Sequence, residues 1–127
     1  MRTLLRQVLI DNALIDVPEE AIVSGDADSV QQRPFVNLQW AENNPGLGPV
    51  TRRNLVVWFH DEPGDYSRID TLVARTRAVF TSLSAVQAPE GSWLVEVRWE
   101  TDSGDLRDDA RGTIVRTSTY LVVGSGM

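Results

Sequence analysis

The run NLVVWFH, Asn54 to His60, constrains the fold more than any other stretch. Leu55 to Phe59 are all apolar, so a strand here has no polar face to show to water. It must be covered on both sides and run through the middle of a sheet. Successive side chains on a strand alternate, so Trp58 and Phe59 point to opposite layers. A chain of 127 residues can build one such sheet, because a domain of this length buries about two thirds of the surface its unfolded chain exposes, without metal or disulfide staples.

Other strands announce themselves by alternation. FVNLQW sets Val36, Leu38 and Trp40 against Phe35, Asn37 and Gln39. WLVEVRWE sets Trp93, Val95, Val97 and Trp99 against Glu96, Arg98 and Glu100, and TIVRTSTYLVV places Val115, Leu121 and Val123 on one face. Two segments have helical spacing instead. Arg2–Ile15 groups Leu4, Leu5, Val8, Leu9 and Ile15, with Pro18 as its stop. After the Pro63-Gly64 turn, Ile69, Leu72, Val73, Thr76, Val79, Phe80 and Leu83 share a face, opposite Arg68, Arg75 and Arg77.

Residues 18–33 read as a polar connector with a turn at Ser24-Gly25-Asp26 and room for a short strand around Ala21 to Val23; 124–127 read as a frayed tail. The order α-β-β-α-β-β predicts an α+β fold. Its sheet is mostly antiparallel and four-stranded, made of two long hairpins and packed with two main helices. One domain spans 1–127, with the N-terminal helix in 1–17 and the sheet and second helix in 34–123.

A net charge of −6 argues against gripping nucleic acid by its phosphates, which requires a basic surface. All twelve basic residues are Arg, most simply a mark of GC-rich coding. The absence of Cys removes thiolate metal sites and Cys nucleophiles. Asp11 and Asp16 interrupt the apolar N-terminal run well short of a membrane span, so neither a signal peptide nor a membrane association is expected.

The stretch HDEPGD gathers the only histidine, His60, with Asp61, Glu62 and Asp65. Its composition suits a metal, but its spacing does not, since neighbours on a strand diverge. Asp65 stands just before a helix, where its carboxylate is placed to cap free N–H groups. Asp102 to Asp109 holds four aspartates without the terminal glutamate of a calcium loop. No phosphate-binding glycine loop and no nucleophile elbow is present. The expectation is a protein with no catalytic residues, no cofactor and no metal.

Two hairpin connections, Ala41 to Arg53 and Thr101 to Gly112, are longer than hairpins need. Arg52 and Arg53 close one; Asp102, Asp105, Asp108 and Asp109 line the other. Opposite charges on two mobile loops suit a subunit interface between copies of the chain.

Taken in order, RPFVNLQW (33–40), the Gly/Pro loop, LVVWFHDEPGDYSRID (55–70), the apolar helix and the closing strand pair resemble the tail terminator proteins of long-tailed, siphovirus-type phages, particularly those infecting actinobacteria. The resemblance runs from about Arg33 to Val123. It implies a structural virion component: a hexameric ring that caps the tail tube, ends its polymerisation and forms the tail-side surface for head joining. The implied partners are further copies of the chain, the tail tube protein and a head-completion or connector protein, with DNA passing through the lumen without specific binding. The implied location is the tail-head junction of the virion, after assembly in the host cytoplasm. Another ring component, such as a tail tube or head-closure protein, would share this plan. A small metal-binding hydrolase would need a second ligand set near His60.

Overall fold

The computed structural model describes residues 1–14, 16–25, 30–44 and 50–126. Ile15, Asp26, Gly46, Gly48 and Met127, expected in a helix, a turn, a loop and the tail, lie outside them. The elements, in chain order, are helix α1 (Arg2–Val8) and strands β1 (Ile22–Ser24), β2 (Phe35–Asn44) and β3 (Val50–Asp61). Helix α2 (Ser67–Phe80) comes next, and then β4 (Ser84–Gln87), β5 (Trp93–Asp102), β6 (Leu106–Asp108) and β7 (Thr113–Ser125).

The expected four-stranded antiparallel sheet in the order α-β-β-α-β-β is therefore wrong. The sheet has seven strands in the order β1-β2-β3-β7-β5-β4, with β6 beside the start of β7, and it is mixed because β1 runs parallel to β2. The added strands, β1, β4 and β6, are only three or four residues long. A strand needs only a neighbour for its backbone groups, and side-chain alternation does not register that. Both long loops shrink for the same reason. β2 and β3 stay paired out to Asn44 and Arg52, while β5 continues to Asp102 and β6 pairs with β7.

Strand β3 is central, as its apolar run demands. It pairs with β2 on one side and with β7 on the other through twelve consecutive residues, Val50↔Ser125 to Asp61↔Ile114. Leu55, Val57 and Phe59 face the helices and are fully buried with Ile69, Leu72, Phe80, Tyr120 and Val122. Each such side chain contributes about 1.5–3 kcal/mol by leaving water. That outweighs any of the surface ion pairs on α2, which are worth about 0–1 kcal/mol each.

Helix α1 ends sooner than its apolar spacing suggests. It passes into a single π-helical segment, Leu9–Ala13, closed by Leu14 N–H donating to the Leu9 carbonyl, and this turns both Leu9 and Leu14 inward. In β5 the expected single face of Trp93, Val95, Val97 and Trp99 is broken by a bulge between Leu94 and Glu96, and a second bulge follows between Trp99 and Thr101. Each bulge adds one residue and turns the later side chains to the other face. Leu94 is fully buried, Val97 and Trp99 lie beside Val122 and Tyr120 on the helix side, and Trp93 is exposed. No helix among the described residues is long and apolar enough to cross a membrane.

Candidate assembly surfaces

At the end of β3 the cluster read from HDEPGD comes apart. His60 is buried between strands, stacked on Phe35 at 4.2 Å, and its Nδ1 shares a 2.9 Å hydrogen bond with Thr113 Oγ1. Asp61 turns to the helix side and binds the Arg68 guanidinium. Glu62 is exposed. Asp65 accepts a 2.6 Å hydrogen bond from the Ser67 N–H, the first residue of α2. Tyr66 holds the N-cap position without a side-chain cap, so Asp65 acts from one residue further out.

His60, Asn37, Gln39, Trp58, Asp108 and Arg111 line a cavity of about 180 Å³. Burial lowers the imidazole pKa to about 4; Asp108 opposes this, while Arg111 and Arg33 add to it. His60 and Thr113 have the form of a base and a hydroxyl, but Thr113 is only 3% exposed and the imidazole is a weak base. Asn37 is used within the fold, donating to the Gly25 carbonyl at 2.8 Å and accepting from the Gly25 N–H at 3.0 Å. Among the described residues, no three His, Asp or Glu side chains gather where an ion could sit.

The acidic turn does not present four equivalent carboxylates. Asp102 is held inside its own chain, accepting from Trp99 Nε1 at 2.9 Å, from Ser118 Oγ at 2.7 Å and from the Arg77 guanidinium. Arg77 in turn lies 4.1 Å over the Trp99 ring. Asp105 stands 3.6 Å from Arg116, and Asp108 is 3.4 Å from Arg111. Asp109 is exposed, with no hydrogen bond or ion pair to a described residue. Asp102 thus braces α2 against the sheet, while Asp109 remains available for a partner and Asp105 is held only by its exposed pair with Arg116.

The two arginines also differ. Arg52 and Arg53 are neighbours on a strand, so one faces each side of the sheet. Arg52 is exposed on the side away from the helices, in a row with Val123 and Glu96. Arg53 faces the helix side and lies 4.2 Å over the Trp40 ring. Arg53 pairs with Val122 and Asp108 with Thr113 on the same strand, nine residues apart. At about 3.3 Å per residue they are about 30 Å from each other, so within one chain these charges cannot meet.

The sheet face opposite the helices carries the rows Val50–Ser125–Trp93, Arg52–Val123–Glu96, Asn54–Leu121–Arg98 and Val56–Thr119–Thr101. No described helix packs over it. Trp93 is 47% and Val95 48% exposed. The part played by Trp40, and the bulge that puts Trp93 on the face opposite Val97 and Trp99, have no plain signal in the sequence; only the alternation of FVNLQW hints that Trp40 faces the helix side.

No protein-family model and no curated protein matches the chain. Solved structures do resemble it. A chain in the virion of a native gene transfer agent particle is similar over 96% of this chain and 92% of its own, with a TM-score of 0.73 and 12% sequence identity. A second solved chain is similar over 100% and 96%, with a TM-score of 0.59 and again 12% identity. What is shared at that identity is the fold, nearly end to end.

Proposed function

We propose that this chain is a structural component of a phage-type virion, and within it a tail terminator: a ring that caps the finished tail tube, stops its growth and offers the surface to which the head is joined. The observation that carries the reading is the fold shared with a gene transfer agent virion chain over almost the whole of both. The resemblance of residues 33–123 to tail terminators narrows it from virion component to ring. The ring is a hexamer. Its partners are copies of itself, the tail tube protein and a head-side connector, and its place is the tail-head junction, reached after assembly in the host cytoplasm.

The surfaces suit that role better than they suit catalysis, and we assign the chain no enzyme activity. Exposed Trp93, Val95 and Val50 with nearby arginines have the composition of a protein-binding surface. A net charge of −6 leaves DNA free to slide through a lumen instead of being held there. The test is a phage lacking this protein, imaged by negative stain. Tails of uncontrolled length and unjoined heads are expected, and normal tails already fixed to heads would refute the reading. Purified chain that grows into open tubes would make it a tube protein instead, because head-to-tail contacts that do not close propagate without end.

A further inference from the structure

At one end of the sheet the chain gathers positive charge that, among the described residues, finds no free carboxylate. Arg53 rests on Trp40, which pairs with Leu55, two residues along the same strand from Arg53, and so shares its helix-side face. Arg2, at the start of α1, approaches the same place. Together with Thr3, Glu90 and Gly126 these residues line an open cavity of about 510 Å³. Among the described residues its one carboxylate is occupied: Glu90 is bonded to the Met1 amino group and accepts a 2.7 Å hydrogen bond from Ser92 Oγ. Arg53 Nε is shut off from solvent without an acceptor.

Burial, and after it the charge of Arg2, holds Arg53 below the ordinary guanidinium range. Two guanidiniums facing one cavity, one of them partly desolvated and short of an acceptor, make a site that lacks its anion. Stacking on the indole fixes the planar donor fork in advance, which suits a carboxylate taken by two parallel hydrogen bonds. On the open face of the same end stand the exposed apolar residues Val50, Trp93 and Val95. At the far end of β7 the acidic turn carries the complement, Asp105 and Asp109 with Leu106, itself 43% exposed.

We propose that the Arg2–Arg53–Trp40 cavity is a carboxylate socket that receives the acidic turn 105–109 of a second copy, with Leu106 meeting the apolar residues of that end. The socket rests on the proposed assembly role and adds its contact. Because socket and turn lie about 30 Å apart along β7, the contact runs from head to tail and joins different chains. A long polyanion is a poorer occupant, since the −6 charge of the whole chain repels it.

The chain has no cysteine, so an engineered pair reports one contact only. Thr3→Cys and Asp109→Cys proteins, mixed under assembling conditions and mildly oxidised, should cross-link at least about ten times faster than Thr3→Cys with Ser82→Cys, which sits in the exposed turn after α2. Arg53→Glu and Asp109→Arg should each weaken assembly at least about tenfold, and the two variants mixed should regain most of it. Arg53→Gln checks for a purely structural role: its Tm as an isolated chain should be no lower than that of the parent. Wild-type protein that forms neither rings nor tubes, alone or on tail tubes, would refute the assembly reading and the socket with it. If the wild type assembles but the Thr3/Asp109 pair is no faster than the control, the charge swap recovers nothing, or Arg53→Gln lowers the Tm, the socket alone is refuted.

Discussion

A lone histidine between two strands has to be kept neutral, and His60 is. Its pKa near 4 lies below the ordinary 6.5, so the unfolded chain binds a proton that the folded chain refuses between those two values. The sign is then fixed: stability is full above about pH 6.5 and falls as the pH drops toward 4, by on the order of 3 kcal/mol in total. Asp65 has a separate window. Hydrogen bonds from the Ser67 hydroxyl and N–H lower its pKa, so its contribution is present above the ordinary carboxylate value and disappears as the pH falls below it. Urea unfolding from pH 8 to 3 should show both. His60→Phe should flatten the slope between 6.5 and 4, and Asp65→Ala should be destabilised at pH 7 but converge with wild type in acid. A His60→Phe protein with the same slope would mean that other groups carry it. That HDEPGD would not converge on an ion, and that Asp65 stands at a helix start, were legible from strand alternation and N-cap chemistry. The Phe35 and Thr113 contacts were not, because both come from strands whose register sequence does not state.

Among elements, α2 depends most on one side chain outside itself. Asp102 collects Arg77 from the helix, Trp99 from β5 and Ser118 from β7. Removing it leaves three donors short at once, one of them charged, in a half-buried place. Asp102→Ala should cost about 2–3 kcal/mol; Asp109→Ala, on the same turn, should change stability by no more than about 0.5 kcal/mol. Thermal and urea unfolding of the two variants would decide, and equal losses would dissolve the distinction drawn between these aspartates. Sequence alone places all four aspartates in one mobile loop, because polarity looks the same whether a residue is solvated or pinned. It reveals β3, β7 and α2, whose periods are long and regular. It misses β4 and β6, whose three or four residues carry no period, and it misjudges β5, where a bulge leaves no mark in the pattern of apolar residues.

At the scale of the whole molecule, strand alternation and helical spacing foretell a sheet packed with helices, while the virion reading comes from the resemblance of the stretch from Arg33 onward and not from its chemistry. The seven-stranded mixed order was beyond reach, since the parallel β1–β2 pair depends on how the connector folds back. The long β3–β7 pairing bears on a different property, the resistance of the protein to pulling. Its twelve opposed residues lie along one axis. Tension that drags the two strands past each other loads every hydrogen bond of the ladder at the same moment, whereas tension that parts them from one end loads them singly. Handles at Glu62→Cys and Gly126→Cys apply the first kind of load, and handles at Glu62→Cys and Gly112→Cys the second. Single-molecule pulling should give rupture forces several times higher for the first pair, and equal forces would show that the ladder shares no load. An assembly built from this chain, such as the ring proposed above, would then be strong in one direction and yielding in another, and would gain from the ladder only if its strands lie along the line of force.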